Sequence, residues 1–203
     1  MGWLAPSRRL TQQLGPQQCP PLAPPYRASV RIDRRAISFY SDCMSTQAPA
    51  FKAADIPADA RIAIVAARFN QDIVDELLAG CVKRLEGHGI GMDRVTVQRV
   101  PGAFELPLAA KWLAQTKKHS AIICLGAVVR GETPHFDYVA GESSRGIADV
   151  ALSEKLPVIF GVLTTDNEQQ AWDRCGGKNG HAGERAADAA LEMIALARRI
   201  AAG

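Results

Sequence analysis

The sequence lacks the patterns that mark membrane, metal-binding and disulfide-stabilised proteins. No apolar run approaches the ~18 residues of a membrane-spanning helix, so we expect no association with a membrane. The five cysteines are widely scattered without a C-x-x-C pair, which argues against a zinc site and against a disulfide framework. We therefore predict no metal site, and we interpret Cys81 and Cys124 as small buried residues of a protein from a reducing cytoplasm.

Excess charge of either sign is also scarce in most of the chain. The formal net charge is +3 over 203 residues, but residues 1–43 hold six Arg against two Asp, a net charge of +4. Subtracting these from the 24 basic and 21 acidic residues leaves 18 and 19, a net charge of −1. Because nucleic-acid binding needs a basic surface, we predict no nucleic-acid partner.

Residues 1–50 differ in composition from the rest of the chain. Six of the 12 prolines lie between residues 6 and 25, and no apolar periodicity accompanies them. This composition predicts a disordered N-terminal extension over 1–50, followed by one catalytic domain over 51–203. The Arg-rich, acid-poor character is also typical of a transit peptide. The alternative is that Met44 is the true start, so that residues 1–43 are not translated.

Strands and helices alternate after residue 60. Short apolar runs predict four strands, at 61–67, 94–100, 121–129 and 157–163. Apolar residues at helical spacing predict five helices, at 72–85, 104–115, 134–156, 168–175 and 184–201. This order predicts an α/β single-domain three-layer sandwich, in which helices cover both faces of a central four-stranded parallel sheet. Ligands of such folds bind at the carboxyl ends of the strands.

The segment L-G-A-V-V-R-G-E-T-P-H-F-D-Y (125–138) joins the third strand to a helix. Pro134 stands where the helix is expected to begin, a position that does not require its missing N–H. The free N–H groups at a helix start, with the positive end of the helix dipole behind them, bind anions. His135 lies beside them, and an imidazole can both accept and donate a proton. The segment therefore predicts chemistry on a phosphorylated small molecule.

Four strings carry a resemblance to a known family. They are A-R-F-N (67–70), V-P-G-A-F-E-L-P (100–107), R-G-E-T-P-H-F-D-Y-V (130–139) and P-V-I-F-G-V-L-T-T (157–165). Together, over about residues 60–200, the chain resembles the 6,7-dimethyl-8-ribityllumazine synthases of riboflavin biosynthesis. The resemblance implies a flavodoxin-like fold and a transferase that needs no metal or redox cofactor. It also implies a homopentamer, with a sixty-subunit icosahedral shell as a further assembly.

The resemblance implies a specific reaction. These enzymes condense 5-amino-6-(D-ribitylamino)uracil with 3,4-dihydroxy-2-butanone 4-phosphate to give 6,7-dimethyl-8-ribityllumazine, phosphate and water. This is the penultimate step of riboflavin biosynthesis.

The resemblance places pyrimidine and ribityl contacts where three strands end. The residues concerned are Phe69, Ala103, Phe104, Glu105, Val128 and Val129. Phe69 would stack on the pyrimidine, and its alternative is a core residue that caps the sheet. Glu105 would bind the ribityl hydroxyls, and its alternative is helix capping, although one carboxylate can do both.

The resemblance also implies a phosphate site and a proton-transfer residue. Glu132 and Thr133 would bind phosphate through backbone N–H groups, with the Glu132 carboxylate turned away, and Arg174 would complete the site. His135 would transfer protons. The alternatives are a solvated helix residue for Arg174 and a helix-start residue without a role for His135.

Two further site residues are implied with the oligomer. Phe160 would enter the neighbouring subunit's site, and Lys178 would contact substrate. The family commonly has R-A-G-x-K-A-G-N-K-G where this chain has R-C-G-G-K-N-G-H-A-G (174–183), so Ala182 replaces a family lysine. The apolar C-terminal helix would pack around the oligomer axis or, alternatively, on its own sheet. We expect His88 and His119 to be surface turn residues without a role.

Two other classes of function remain as alternatives. One is a flavin or lumazine carrier on a related fold, although a carrier would not need both His135 and Arg174. The other is a shell protein whose cavity matters more than its chemistry. Fold alone does not separate these functions, since parallel α/β folds host many activities.

Overall fold

A parallel sheet forms the centre of the protein. The computed structural model describes residues 51–203, so the predicted extension over 1–50 lies outside the described residues. The strands are β1 (Ile62–Ala67), β2 (Val95–Val100), β3 (Ala121–Val129) and β4 (Val158–Thr165). They lie in the order β2-β1-β3-β4 and every neighbouring pair is parallel. Every residue of β1 is buried, because this strand lies inside the sheet and both of its faces are covered.

Helices cover the two faces of the sheet. They are α1 (Gln71–Gly87), α2 (Leu106–Gln115), α3 (His135–Glu154), α4 (Glu168–Trp172) and α5 (Ala182–Ala202). Residues of α1 and α5 pack with Ile62 and Ile64 on one face, while residues of α2 and α3 pack with Ala63 and Val65 on the other. The predicted three-layer α/β fold is confirmed, and it is consistent with a flavodoxin-like arrangement.

The segment after β4 differs from its prediction. The helix expected over 168–175 ends at Trp172, and a small hairpin follows, with β5 at Cys175–Gly177 and β6 at Gly180–His181. Gly176 and Gly180 have φ angles of 98° and 72°. Because glycine adopts positive φ readily, this Gly-rich segment turns back on itself where the helical pattern alone predicted one more turn.

The C-terminal helix packs on its own subunit. Its buried positions, which include Ala187, Ala190 and Leu191, join the core formed with α1 and the sheet. Gly183 brings α5 close to α1, since a Cβ there would lie 2.9 Å from the carbonyl carbon of Leu77. The structure shows that this helix packs on its own sheet, and packing around an oligomer axis stays a prediction.

His88 lies in the turn that follows α1, as expected, but neither His88 nor His119 is fully on the surface. His88 is half-buried, with Nε2 3.2 Å from Asp188 Oδ1 and its ring 5.1 Å from that of Phe51. His119 is also partly buried, and burial lowers the pKa of its imidazole. For His88 the partners are Phe51 and Asp188, which lie far away in the sequence and which local turn composition does not reveal.

The cysteines at 81 and 124 are buried, as predicted. Burial raises the pKa of both thiols to about 12, because an apolar surrounding disfavours the thiolate. Within residues 51–203 no helix has both the length and the apolar character needed to cross a membrane. In the same part of the chain, no three His, Cys, Asp or Glu side chains lie close enough to share a metal ion.

Candidate active site

A cavity of about 650 Å³ lies at the carboxyl ends of β1, β2 and β3. Parallel strands end at the same edge of a sheet, so the segments that follow them meet there. Eight of the residues predicted for the site line the cavity: Phe69, Ala103, Phe104, Glu105, Val128, Val129, Thr133 and His135. The cavity therefore brings together most of the predicted pyrimidine, ribityl and proton-transfer residues.

Phe69 presents its ring to the cavity. Its side chain is 71% exposed, which rules out the alternative that it caps the core. The backbone holds it in place, because Phe69 N–H donates to Pro101 O at 3.0 Å and Arg68 N–H donates to Val100 O at 2.8 Å. Asn70 follows in the left-handed region, and its Nδ2 donates to Ala127 O at 2.8 Å. Three strand ends are thus joined beneath one exposed aromatic ring.

Glu105 has a structural contact of its own. Its Oε2 accepts a hydrogen bond from the Gly102 N–H at 2.9 Å, which closes the 3₁₀ turn Ala103–Glu105 ahead of α2. The capping alternative for Glu105 is therefore correct, and the side chain lines the cavity as well. Ala103 is buried beneath the turn, whereas Phe104 is exposed. The turn offers one carboxylate and one aromatic ring to a ligand.

The turn between β3 and α3 forms the opposite wall. Gly131, Thr133 and His135 line the cavity, and Pro134 directly precedes the first residue of α3. The exposed Glu132 does not line it, in keeping with a carboxylate that is turned away. The start of a helix of 20 residues, whose first backbone N–H groups have no partner within the helix, therefore lies at this wall together with one imidazole.

Arg130 links this turn to its surroundings. Its Nη2 donates to Asp137 Oδ1 at 3.1 Å, and its Nε donates to Asp166 Oδ1 at 3.3 Å. The guanidinium carbon also lies 4.0 Å from the centre of the Phe136 ring. The hydrogen bond to Asp137 is the main reason that the pKa of Arg130 is raised above its ordinary value.

Tyr138 also lines the cavity, although the sequence analysis missed it. Its side chain is 69% exposed and lies three residues after His135 on α3. Residues at i and i+3 share a helix face, so this spacing was a usable signal. Phe136 and Val139 complete the aromatic and apolar part of the same wall.

Arg174, Lys178 and Phe160 do not line the cavity of their own subunit. Arg174 is half-buried, and its Nη1 donates to Gln170 O at 2.8 Å, so it is not the solvated helix residue of the alternative interpretation. Lys178 Nζ lies 2.8 Å from Asp173 Oδ2, and this hydrogen bond is the main cause of the lowered pKa of Asp173. Phe160 lies in the edge strand β4 and is 43% exposed.

A parallel α/β fold with a cavity at its strand ends defines the class of proteins that bind small molecules at that edge of the sheet. The family model for 6,7-dimethyl-8-ribityllumazine synthase matches residues 59–198. Two curated 6,7-dimethyl-8-ribityllumazine synthases, from two strains of Clostridium kluyveri, are each 50% identical to the chain over 140 residues. The match covers 69% of this chain and 91% of each relative. The chain belongs to the 6,7-dimethyl-8-ribityllumazine synthase family, whose members are transferases of riboflavin biosynthesis.

Proposed function

We propose that this protein condenses 5-amino-6-(D-ribitylamino)uracil with 3,4-dihydroxy-2-butanone 4-phosphate. The products are 6,7-dimethyl-8-ribityllumazine, phosphate and water, in the penultimate step of riboflavin biosynthesis. One observation carries the proposal. A single cavity joins an exposed aromatic ring, at Phe69, to a helix start that carries an imidazole, at His135. These are the groups that a flat heterocycle and a phosphorylated reaction partner require.

The pyrimidine occupies the part of the cavity beside Phe69. The exposed ring supplies a flat apolar surface for stacking. The backbone of Val128 and Val129, at the end of β3, addresses the uracil edge. The ribityl chain extends toward the turn at 103–105, where Glu105 keeps acceptor capacity beyond its one hydrogen bond to Gly102. Tyr138 lines the same cavity.

The phosphate occupies the turn before α3. Backbone N–H groups of Glu132 and Thr133 and the Thr133 hydroxyl donate to it, because the helix start favours an anion. The ketone carbon then lies near His135. That imidazole assists the amine attack, the loss of water to an imine, the phosphate elimination and the ring closure, since it both accepts and donates protons. Holding two substrates together in one cavity also lowers the activation barrier. For well-oriented groups this effect is about 7 kcal/mol or more.

The site is completed between subunits of a homopentamer. Phe160 is a large apolar side chain in an edge strand and is exposed in the single subunit, which suits a contact with a neighbour. Arg174 and Lys178 lie outside the cavity of their own subunit and join the site in the assembly, Arg174 on the phosphate. Ala182 offers only a methyl group, so any contact made by the family lysine at this position is missing here. Twelve such pentamers would form a sixty-subunit shell. The buried thiols suit a location in the reducing cytoplasm.

Turnover tests this function directly. Full-length protein is mixed with the two substrates, and the fluorescence of the lumazine product is followed against the spontaneous background. A protein-dependent rate that vanishes when either substrate is omitted supports the proposal. Formation at the background rate, from a folded oligomer that still binds lumazine, refutes the enzyme and favours a carrier.

A further inference from the structure

Arg185 is the fourth residue of α5 and follows the small hairpin formed by β5 and β6. Its Nη1 donates a hydrogen bond to Asn179 O at 3.1 Å, so the guanidinium lies against the loop that joins these two strands. Like Arg174 and Lys178, Arg185 does not line the cavity of its own subunit. The hairpin segment therefore carries a third cation beside the two that the family resemblance implies for the site.

The loop leaves room for this guanidinium. Gly180 has a φ angle of 72°, and a Cβ at this position would lie 3.1 Å from Arg185 Nη1, so a side chain there would crowd the guanidinium. The Asn179 backbone is itself fixed, because its N–H donates to Asp173 O at 2.8 Å. Asp173 also holds Lys178, whose Nζ lies 2.8 Å from Asp173 Oδ2. Arg185 and Lys178 are thus fixed to the same short loop.

Arg185 lies one helical turn after Ala182, the position at which the family has a lysine. Residues at i and i+3 share a helix face, and helical side chains point back toward the N-terminus. The hydrogen bond to Asn179 shows that the Arg185 side chain reaches back past Ala182. The Ala182 N–H donates to Arg174 O at 2.7 Å, so this position also lies beside Arg174. Arg185 therefore brings a cation to the part of the chain where Ala182 lacks one.

The stability of α5 does not account for a cation at this position. The amino end of a helix is the positive end of its dipole, so a helix of 21 residues disfavours a positive charge in its first turn. The side chain of Arg185 is exposed and takes no part in the core. What the arrangement provides is a planar cation with five N–H donors, of which one donates to Asn179.

We propose that Arg185 binds the pyrimidine substrate in the cavity of the neighbouring subunit, where its guanidinium donates to the carbonyl oxygens of the uracil ring. The inference rests on the proposed function, which brings this hairpin to the neighbour's cavity. The phosphate has a guanidinium of its own in Arg174, which is tied to α4 through Gln170 O. Arg185 is tied instead to the loop that carries Lys178 and serves the other substrate. Its planar pair of donors suits the acceptors at the edge of a flat ring.

The test uses four variants of the full chain: Arg185→Gln, Arg185→Lys, the double variant Ala182→Lys/Arg185→Gln and the control Arg198→Gln. Arg198 is a matched control because it is an exposed arginine of the same helix, about 20 Å from Arg185 along the helix axis. Equilibrium titration gives the Kd for 5-amino-6-(D-ribitylamino)uracil. Steady-state kinetics give kcat and the KM for each substrate. Light scattering and thermal unfolding follow the assembly and the fold of every variant.

Arg185→Gln should raise the Kd and the KM for the pyrimidine about tenfold or more, as expected when a charge-assisted hydrogen bond is lost. The KM for the phosphorylated ketone should change less than twofold. Arg185→Lys should give a smaller rise, since Lys keeps the charge but not the planar pair of donors. The double variant should recover most of the affinity, because a lysine at 182 returns the cation that Arg185 supplied. Arg198→Gln should match the wild type in every measurement.

Three results overturn the proposal. An unchanged pyrimidine Kd in Arg185→Gln shows that the guanidinium does not bind this substrate. A rise confined to the KM for the phosphorylated ketone assigns the guanidinium to phosphate. Smaller particles in Arg185→Gln, with normal pyrimidine affinity in the fraction that stays assembled, show that Arg185 holds subunits together. If Arg185→Gln does not fold, the pyrimidine Kd values of Arg185→Lys and of the double variant decide in the same way.

The titration also separates this inference from the proposed function, because it measures binding without turnover. A wild type that binds the pyrimidine but forms no lumazine refutes the enzyme, and the comparison with Arg185→Gln still decides the role of Arg185. A wild type with turnover, whose pyrimidine affinity is the same without Arg185, keeps the proposed function and refutes this inference.

Discussion

Replacing Phe69 with alanine should weaken pyrimidine binding while leaving the fold intact. Aromatic side chains bury roughly 150–250 Å² when fully covered. Since Phe69 is 71% exposed, about 140 Å² of a typical 200 Å² is free for a ligand. A flat heterocycle that covers one face removes about half of this area from water. At about 25 cal/mol per Å² this burial stabilises the complex by about 1.8 kcal/mol.

The specific geometry of stacked rings adds about 0.5–1.5 kcal/mol. We therefore expect Phe69→Ala to lose about 2–3 kcal/mol of binding free energy, which is a rise of about 30- to 150-fold in Kd. The assay is an equilibrium titration with 5-amino-6-(D-ribitylamino)uracil. Thermal unfolding, measured in parallel, should be nearly unchanged because the ring contributes little to the core.

Ile200→Ala is the matched control for this experiment. Ile200 is 72% exposed on α5 and does not line the cavity, so this variant should retain both its Tm and its pyrimidine affinity. An unchanged Kd in Phe69→Ala would show that the pyrimidine does not stack on this ring. A large fall in its Tm would show instead that the ring stabilises the fold, and the area argument would fail.

Four further predictions concern the site and the core. Arg174→Ala should raise the KM for the phosphorylated ketone far more than that for the pyrimidine, and equal increases would contradict its role at the phosphate. His135→Ala should lower kcat by about 10²- to 10⁴-fold with pyrimidine binding nearly intact, and unchanged turnover would remove it from proton transfer. Burial raises the pKa of Cys124 to about 12, so its thiolate fraction at pH 8 is roughly 10⁻⁴. Iodoacetamide should therefore leave Cys124 unmodified until urea unfolds the protein. Rapid labelling of the native protein would contradict its burial. Gly183→Ala should destabilise the protein by about 1–3 kcal/mol in thermal unfolding, because the added Cβ would push α5 away from α1. Gly87→Ala is its control, since open space surrounds that position, and equal Tm values would contradict the contact.

Local pattern was sufficient to predict the layers and the main cavity. Short apolar runs separated by helical patterns specify a parallel sheet, and parallel strands end at one edge. The residues after β1, β2 and β3 therefore had to converge, which is why Phe69, Glu105 and His135 were found together. The roles assigned to them came from the resemblance to the family and stay predictions.

Other features depend on partners that are distant in sequence. His88 meets Asp188, 100 residues away, only because α1 and α5 pack on the same face of the sheet. The exposure of Phe160 depends on β4 being an edge strand, a consequence of strand order that the segment itself does not encode. In a similar way, the helix pattern over 168–175 gave no sign of the hairpin that the positive φ angles of Gly176 and Gly180 produce.

The sequence by itself thus determined the alternation of strands and helices, the family and the edge of the sheet where the chemistry lies. These follow from periodicity and from motifs that are local in the chain. Only the tertiary structure decided that Arg130 reaches Asp166, because that contact requires β3 and β4 to be neighbours in register. It also decided that Arg174 lies outside the cavity of its own subunit, since that depends on the path of the chain after β4.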